Sequence, residues 1–250
     1  MEVHLIDIMG DDSAIVQAAR VSYGQGTKTP SEDTALIRYL MRHWHTTPFE
    51  MVELKFRIKC PIFVARQHFR HRTASINELS ARYSVVKNEF WIPTQFRGQS
   101  AVNKQGSDGV IDDPSMEIYS KYVESCERSF KAYEDLITAG VAREQARAVL
   151  PMSTMTEFYW KINLHNLLHY LRLRLDSTAQ QEIRELAQMI FALLKSKLPV
   201  VAQAFQDFRL DTVTLTGPEI SGAQLSRGEH REFEEKKKII GTINGQHEFQ

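Results

Sequence analysis

Two stretches of the chain alternate apolar and polar residues with a period of two. Residues 52–60 place valine, leucine, phenylalanine, isoleucine and cysteine on one side, with glutamate, lysines and arginine on the other. Residues 154–162 alternate similarly, and residues 3–8 and 85–92 are shorter runs that suggest strands. This period predicts strands with one buried face.

Longer stretches carry apolar residues three and four positions apart, which predicts helices. Thr29, Pro30 and Glu32 have the spacing of a capping box with proline at the first helical position, and Ser177 with Gln180 predicts a second box. The predicted helices cover residues 12–22, 30–44, 61–70, 113–140, 143–150, 165–175 and 177–194.

The remaining segments lack a clear period. Residues 75–84 are polar and predicted to be irregular, and residues 94–113 predict a surface loop. Beyond Thr216 the chain is polar with a charge run, so we predict a domain over residues 1–216 and a flexible tail over residues 217–250. Long helices mixed with separated strands favour the α+β class, with an antiparallel or mixed sheet rather than a regular βαβ array.

The bulk charge argues against capture of a polynucleotide, because 31 basic and 31 acidic residues balance. The two cysteines, Cys60 and Cys126, form no disulfide framework, and both fall on predicted apolar faces of core elements. The first residues lack a basic signal region, and no apolar run is long enough to cross a bilayer, so we expect a cytoplasmic protein without membrane contact.

Polar chemistry concentrates in residues 66–83, which hold four arginines, two histidines, two serines, one asparagine and one glutamate. Arginine forks and hydroxyls together suit a phosphate and a polar ring. A solvated basic face is the alternative, although such a face usually contains lysine and this segment contains none.

The spacing inside this segment resembles the signature of flavin-dependent thymidylate synthases. Arg70-His71-Arg72 is followed by seven residues and then Ser80, and the longer form of the signature also matches at Ser75, Asn77, Glu78, Arg82 and Tyr83. Residues 45–50, 143–151 and 163–180 resemble further segments of the family, so the resemblance covers about residues 1–215. It implies a single domain of that family's α+β type.

The resemblance also implies the ligands and the residues that bind them. FAD contacts are expected from Thr47, Arg70, His71, Arg72, Glu78, Asn163, His165 and His169. Contacts with dUMP are expected from Gln67, Arg70, Glu78, Ser80, Ala81, Arg82, Arg147 and Arg174. Ala81 stands where glycine is common in the family, and His169 stands where asparagine also occurs, either of which can hydrogen-bond a flavin.

Several of these residues also have simpler interpretations. His165 and His169 have a spacing that also suits a half-exposed helix face or a zinc site, but no accompanying base is present and we expect no metal. Arg147 by itself is typical of a solvated helix. Ser80 has no activating base in the sequence and is therefore assigned to binding.

Arg174 is the expected catalytic residue. The resemblance implies that it faces the uracil ring, where it would stabilise negative charge on the imide when N3 loses its proton. The simpler alternative is a surface salt bridge between Arg174 and Asp176. The implied reaction converts dUMP to dTMP with carbon from 5,10-methylenetetrahydrofolate and hydride from FAD that NADPH has reduced. The implied assembly is a homotetramer whose active sites are shared between subunits.

Three other functions compete with this interpretation. The arginine cluster of residues 66–83 would also suit an RNA- or DNA-binding module, although the neutral charge and the absence of an RNP pattern oppose it. A flavoprotein of the same fold with another substrate is the second. A purely structural oligomer is the third, and it leaves the polar cluster unexplained.

Overall fold

The computed structural model describes residues 1–21, 29–101, 106–222 and 224–247. These residues form two compact units, Met1–Gln203 and Ala204–Gln250. The predicted end of the first helix at Ser22 and part of the predicted loop, residues 102–105, lie outside the described residues.

A four-stranded antiparallel sheet organises the first unit. The strands of this unit are β1 (Glu2–Met9), β2 (Glu53–Pro61), β3 (Ser75–Glu78), β4 (Arg97–Gln99), β5 (Ser107–Val110) and β6 (Met155–Asn163). The sheet has the strand order β1-β2-β6-β3, and every neighbouring pair is antiparallel. Strands β4 and β5 form a separate hairpin.

The two central strands follow the predicted alternation. In β2 every second side chain is buried, and Phe56 is paired in register with Trp160 of β6. Both of these side chains are fully buried, which places their rings at the centre of the core. Burial of such aromatic side chains is worth several kcal/mol, at about 25 cal/mol per Å² of apolar surface.

The helices Ile62–His68, Leu164–Arg174 and Gln181–Lys197 pack against this sheet. The helices are α1 (Asp12–Arg20), α2 (Pro30–Arg42), α3 (Thr47–Glu50), α4 (Ile62–His68), α5 (Glu117–Thr138), α6 (Arg143–Ala146), α7 (Leu164–Arg174), α8 (Gln181–Lys197) and α9 (Pro199–Phe205). Thr29 caps α2 through the predicted box, since its hydroxyl accepts from the Glu32 backbone N–H and the Glu32 carboxylate accepts from the Thr29 backbone N–H. The α+β class and the antiparallel sheet are therefore confirmed.

Some predicted segments were wrong. Residues 75–84, predicted irregular, contain strand β3, whose four residues are all exposed, so no alternation of burial marks it. Residues 85–92 form only one isolated bridge, between Phe90 and Thr154. The predicted loop 94–113 contains the β4–β5 hairpin.

Two predicted helix ends were also wrong. Helix α8 begins at Gln181 and not after Ser177, because Asp176 accepts hydrogen bonds from Thr178 and holds residues 176–179 in a turn. The helix predicted over residues 143–150 continues after α6 as a 3-10 turn, Arg147–Val149.

Helical structure is present beyond Thr216, where the sequence predicts a flexible tail. Helix α10 (Gly217–Ser221) and helix α11 (Arg227–His247) form there, after a π-helical turn at Gln206–Leu210. Thr216 and Glu219 form a capping box, and Lys236 of α11 pairs with the Glu219 carboxylate at 2.8 Å. Of the helices described, none combines the length and apolar character needed to cross a membrane.

Candidate active site

Helices α4 and α7 bring together residues that lie about a hundred positions apart in the chain. Helix α4 ends at His68, and the chain then leaves regular structure through Arg70, His71 and Arg72. Helix α7 ends with Arg174. The loop after α4 therefore meets the C-terminal end of α7, where a cation is favoured by the helix dipole.

Arg174 is anchored at this meeting point by two hydrogen bonds. Its Nε donates to Nε2 of His71 at 3.0 Å, and its Nη2 donates to the backbone oxygen of Gln67 at 3.4 Å. Within the described residues, its Nη1 makes no hydrogen bond. The guanidinium is thus held along one edge and keeps donors available along the other. The alternative salt bridge with Asp176 is not formed, since the Asp176 carboxylate bonds to Thr178.

The Arg174 contact determines the charge of His71. An arginine only donates, so His71 Nε2 must accept, and the imidazole is neutral with its proton on Nδ1. Burial, the Arg174 charge and neighbouring His169 together lower the pKa of His71 to about 4. The rings of His71 and His169 lie 6.2 Å apart. His71 is therefore a neutral acceptor at physiological pH.

A buried histidine, His68, lies in the core next to the Arg174–His71 pair. His68 is fully buried among the rings of Phe158, Trp160 and Tyr170, and its Nδ1 lies 3.0 Å from the Tyr170 hydroxyl. The Tyr170 ring also packs edge-on against His71 at 4.8 Å. Neither His68 nor Tyr170 is among the predicted site residues, because a core histidine and a core tyrosine carry no local sequence pattern that distinguishes them.

A second group of predicted residues lies after β3. Glu78 accepts a hydrogen bond from the Thr156 hydroxyl at 2.6 Å, and Arg82 pairs with Glu144 of α6 at 3.4 Å. Ser80 accepts from the Arg82 backbone N–H, which holds a tight turn that also includes Ala81. Arg147, in the 3-10 turn after α6, is exposed.

A third group lies at the opposite end of α7. Asn163 is the N-cap of α7, and its side chain accepts from the Asn166 backbone N–H at 2.9 Å. Thr47 opens α3, which packs against α7, and Thr47 lines a cavity of about 600 Å³. Arg174 lies eleven positions after Asn163, which is about 16 Å along the helix.

Apart from Glu78, which lies at the end of β3, the predicted FAD set is distributed along α7 within one chain. Thr47 and Asn163 lie at its start, His165 and His169 lie within it, and His71 lies at its end. Arg70 and Arg72 are exposed beside His71. Among the described residues, no group of three metal-ligating side chains is found around the two histidines of α7 or elsewhere.

Comparison with known proteins gives the family. The model of the thymidylate synthase complementing protein family matches residues 4–200. A flavin-dependent thymidylate synthase of Thermus thermophilus is 55% identical over 218 residues, which cover 87% of this chain and 80% of that protein. The chain belongs to the flavin-dependent thymidylate synthase family. A flavin-dependent thymidylate synthase of Dictyostelium discoideum is 48% identical, over 92% of this chain and 78% of that protein.

A solved structure has the same fold. The UMP/dUMP methylase PolB of Streptomyces cacaoi, bound with 5-Br dUMP, superposes with a TM-score of 0.75 at 35% identity. The match covers 83% of this chain and 95% of that chain. Of the signature residues, Arg70, His71 and Arg72 lie in this chain where the loop after α4 meets α7, and the others lie in or after β3.

The side chains here fit the flavin that the family name specifies. Arg70 and Arg72 are exposed cations, and His71 and His169 add ring nitrogens beside them. Such a set offers donors to pyrophosphate oxygens and to the carbonyl edge of a flavin ring.

Proposed function

We propose that this chain catalyses the reductive methylation of dUMP to dTMP at the site formed by Gln67, His71 and Arg174. The observation that supports it is the anchored guanidinium of Arg174, whose remaining donors lie beside the family's signature loop. We further propose FAD as the flavin, NADPH as its reductant and 5,10-methylenetetrahydrofolate as the carbon donor, as the family resemblance implies. The flavin, when bound, supplies the hydride.

Arg174 would act on the uracil ring through its charge. A positive guanidinium held in a fixed position stabilises the negative charge that develops when the imide N3 loses its proton, and C5 then becomes more nucleophilic. His71 contributes by accepting from Arg174 Nε, which fixes the guanidinium before substrate arrives. This role requires a neutral His71, which its lowered pKa provides.

The dUMP phosphate would be bound by Arg82 and Arg147, together with Ser80 and the backbone at Ala81. Arg82 is paired with Glu144, but both side chains are more than half exposed, and such a pair is worth only about 0–1 kcal/mol. A dianionic phosphate therefore replaces Glu144 at little cost. Glu78 would face both the nucleotide and the flavin from the end of β3.

We propose that the active site is shared between subunits of a homotetramer. His71 packs against Tyr170 of its own chain, whereas Arg70 and Arg72 are exposed. The segment after β3 exposes 62% of Leu79 and 79% of Tyr83, which is typical of an interface. A monomeric fraction, isolated by light scattering, that binds FAD and turns over normally would contradict this assembly.

The visible spectrum of the purified protein tests the cofactor and the substrate together. Under anaerobic conditions with NADPH, we expect a bound flavin that bleaches faster when dUMP is present. A protein that takes up FAD but not dUMP would favour a flavoprotein with another substrate. A protein that cannot be loaded with FAD would refute the enzyme and would favour nucleic-acid or phosphate-ligand binding.

Arg174→Ala tests the catalytic residue. The variant should retain flavin and lose dTMP formation by about a hundredfold or more, the usual effect of removing one electrostatic donor from an active site. Arg128→Ala is the control, because Arg128 is an exposed arginine of α5 that pairs with Glu124. Near-normal turnover of Arg174→Ala would remove Arg174 from the catalytic role.

A further inference from the structure

A buried carboxylate lies at the start of α8 and has no part in the proposed reaction. Glu182 is 4% exposed, and its Oε1 accepts from Arg97 Nη2 at 2.6 Å. Its Oε2 accepts from the side-chain amide of Gln180 at 2.7 Å. A charge this deeply buried is tolerated only when it is paired, and Arg97 of the β4–β5 hairpin provides that partner.

Glu182 is ionised and therefore only accepts hydrogen bonds. Burial raises the pKa of its carboxyl, but the hydrogen bonds from Arg97 and Gln180 outweigh burial and hold that pKa below its ordinary value. An ionised carboxylate has no proton to donate. Gln180 must consequently turn its Nε2 toward Glu182.

The direction of the Gln180 amide in turn fixes the direction of the Gln67 amide. With its Nε2 on Glu182, Gln180 presents its Oε1 to Gln67, and the Gln67 Nε2 donates to that oxygen. Gln67 has then used its amide nitrogen, and its Oε1 makes no hydrogen bond within the described residues. The Glu182–Gln180–Gln67 chain thus leaves one amide oxygen as an acceptor.

That acceptor belongs to the residue that also anchors Arg174. The backbone oxygen of Gln67 accepts from Arg174 Nη2, so an amide acceptor and guanidinium donors belong to neighbouring side chains. The imide edge of uracil has an N–H between two carbonyl oxygens. An acceptor beside donors is the pattern that complements such an edge.

We propose that Glu182 and Gln180 are positioning residues that orient the Gln67 amide so that its oxygen accepts from the uracil N3–H when dUMP binds, before N3 loses its proton. This inference rests on the proposed function, in which Gln67 binds dUMP. Arg97 supports the same orientation by holding Glu182. The Glu182–Gln180–Gln67 chain links the hairpin and α8 to the substrate without itself touching the reacting atoms.

Gln180→Leu is the decisive variant, because Gln180 is exposed and its loss leaves the core intact. The KM for dUMP should rise about three- to tenfold, the effect of one lost orienting hydrogen bond, while kcat stays within about twofold. Flavin loading and the midpoint of thermal unfolding should not change. Glu182→Gln should raise the KM in the same direction, since a neutral amide no longer determines which way Gln180 faces.

Gln181→Leu is the matched control. Gln181 precedes Glu182, accepts from Arg97 Nη1 at 2.5 Å and donates to Glu185, but it bonds to neither Gln180 nor Gln67. Its loss leaves the separate Arg97 Nη2–Glu182 bond in place, so the direction of the Gln180 amide does not depend on it. Its KM for dUMP should equal that of the unaltered protein. An unchanged KM in Gln180→Leu, or an equal rise in Gln181→Leu, would overturn the inference. Absence of dUMP turnover in the unaltered protein would overturn the proposed function itself, and this inference with it.

Discussion

Replacing Tyr170 with phenylalanine removes one oxygen atom from the buried contact beneath the candidate active site. Tyr170 and His68 are both 0% exposed, and their polar atoms are 3.0 Å apart. The other ring nitrogen of His68, Nε2, is already buried without a hydrogen-bond partner in the part of the chain that the structure describes. The substitution therefore leaves the whole His68 imidazole without a hydrogen bond, which should cost about 1–3 kcal/mol of the free energy of unfolding.

The double variant separates this hydrogen bond from general packing. His68→Phe alone leaves the Tyr170 hydroxyl buried and unpaired, so it should cost a similar about 1–3 kcal/mol. Replacing both residues with phenylalanine removes both polar groups from an aromatic cluster. We expect the double variant to be more stable than the sum of the single losses predicts, by at least about 1 kcal/mol.

Urea unfolding measures the free energy of unfolding of the three variants. The protein concentration is kept fixed, because the stability of an oligomer depends on it. Far-ultraviolet circular dichroism at a constant, mildly alkaline pH is a suitable signal. Strictly additive losses would refute the reasoning, since they would mean that His68 and Tyr170 contribute independently. A loss under about 0.5 kcal/mol in Tyr170→Phe would refute it as well.

The buried His68–Tyr170 pair also predicts how the free energy of unfolding depends on pH. Burial first, and then the nearby His71 and Arg174, together lower the pKa of His68 to about 3. The folded-state pKa of His68 lies below the ordinary 6.5, so the folded state holds His68 neutral at a pH where the unfolded state protonates it. The stability that neutral, buried His68 contributes is therefore complete above pH 6.5 and is lost as the pH falls toward 3. Between pH 6.5 and pH 3 the free energy of unfolding should fall by about 4–5 kcal/mol for this reason. The double variant should lack this part of the acid sensitivity, and an unchanged pH profile would contradict it.

Two further predictions concern a cysteine and a glycine. Burial raises the pKa of Cys60 to about 12, so its side chain stays a thiol. Cys60→Ala should therefore keep dTMP formation while losing about 1–2 kcal/mol of stability. Loss of turnover with flavin retained would show that the cysteine reacts. Gly10 has φ +90°, and an added Cβ would lie 3.1 Å from Ala14 and from Val52, so Gly10→Ala should cost about 1–3 kcal/mol in urea unfolding. Gly140→Ala is its control, with φ +84° and open space around it, and an equal cost in both would argue against crowding at Gly10.

Local patterns predicted the elements that bury one face. The alternation in residues 52–60 predicted β2, and the capping box at Thr29 predicted the start of α2, because both signals reflect interactions between close neighbours in the chain. Strand β3 was missed since its partner β6 follows about eighty residues later and all four of its side chains are exposed. Pairing of an exposed edge strand leaves no hydrophobic period to read.

The sequence by itself determined the family and the candidate residues, because the spacing from Arg70 to Ser80 is a local property. The tertiary structure alone decided which of them meet. Arg174 and His71 are 103 positions apart, and only the packing of α4 and α7 makes one the donor and the other a neutral acceptor. The same holds for Glu182 and Gln67, whose relation depends on a buried charge that requires a partner. Hydrogen-bond direction and burial arise from contacts distant in the chain, so they could not be predicted from the order of residues.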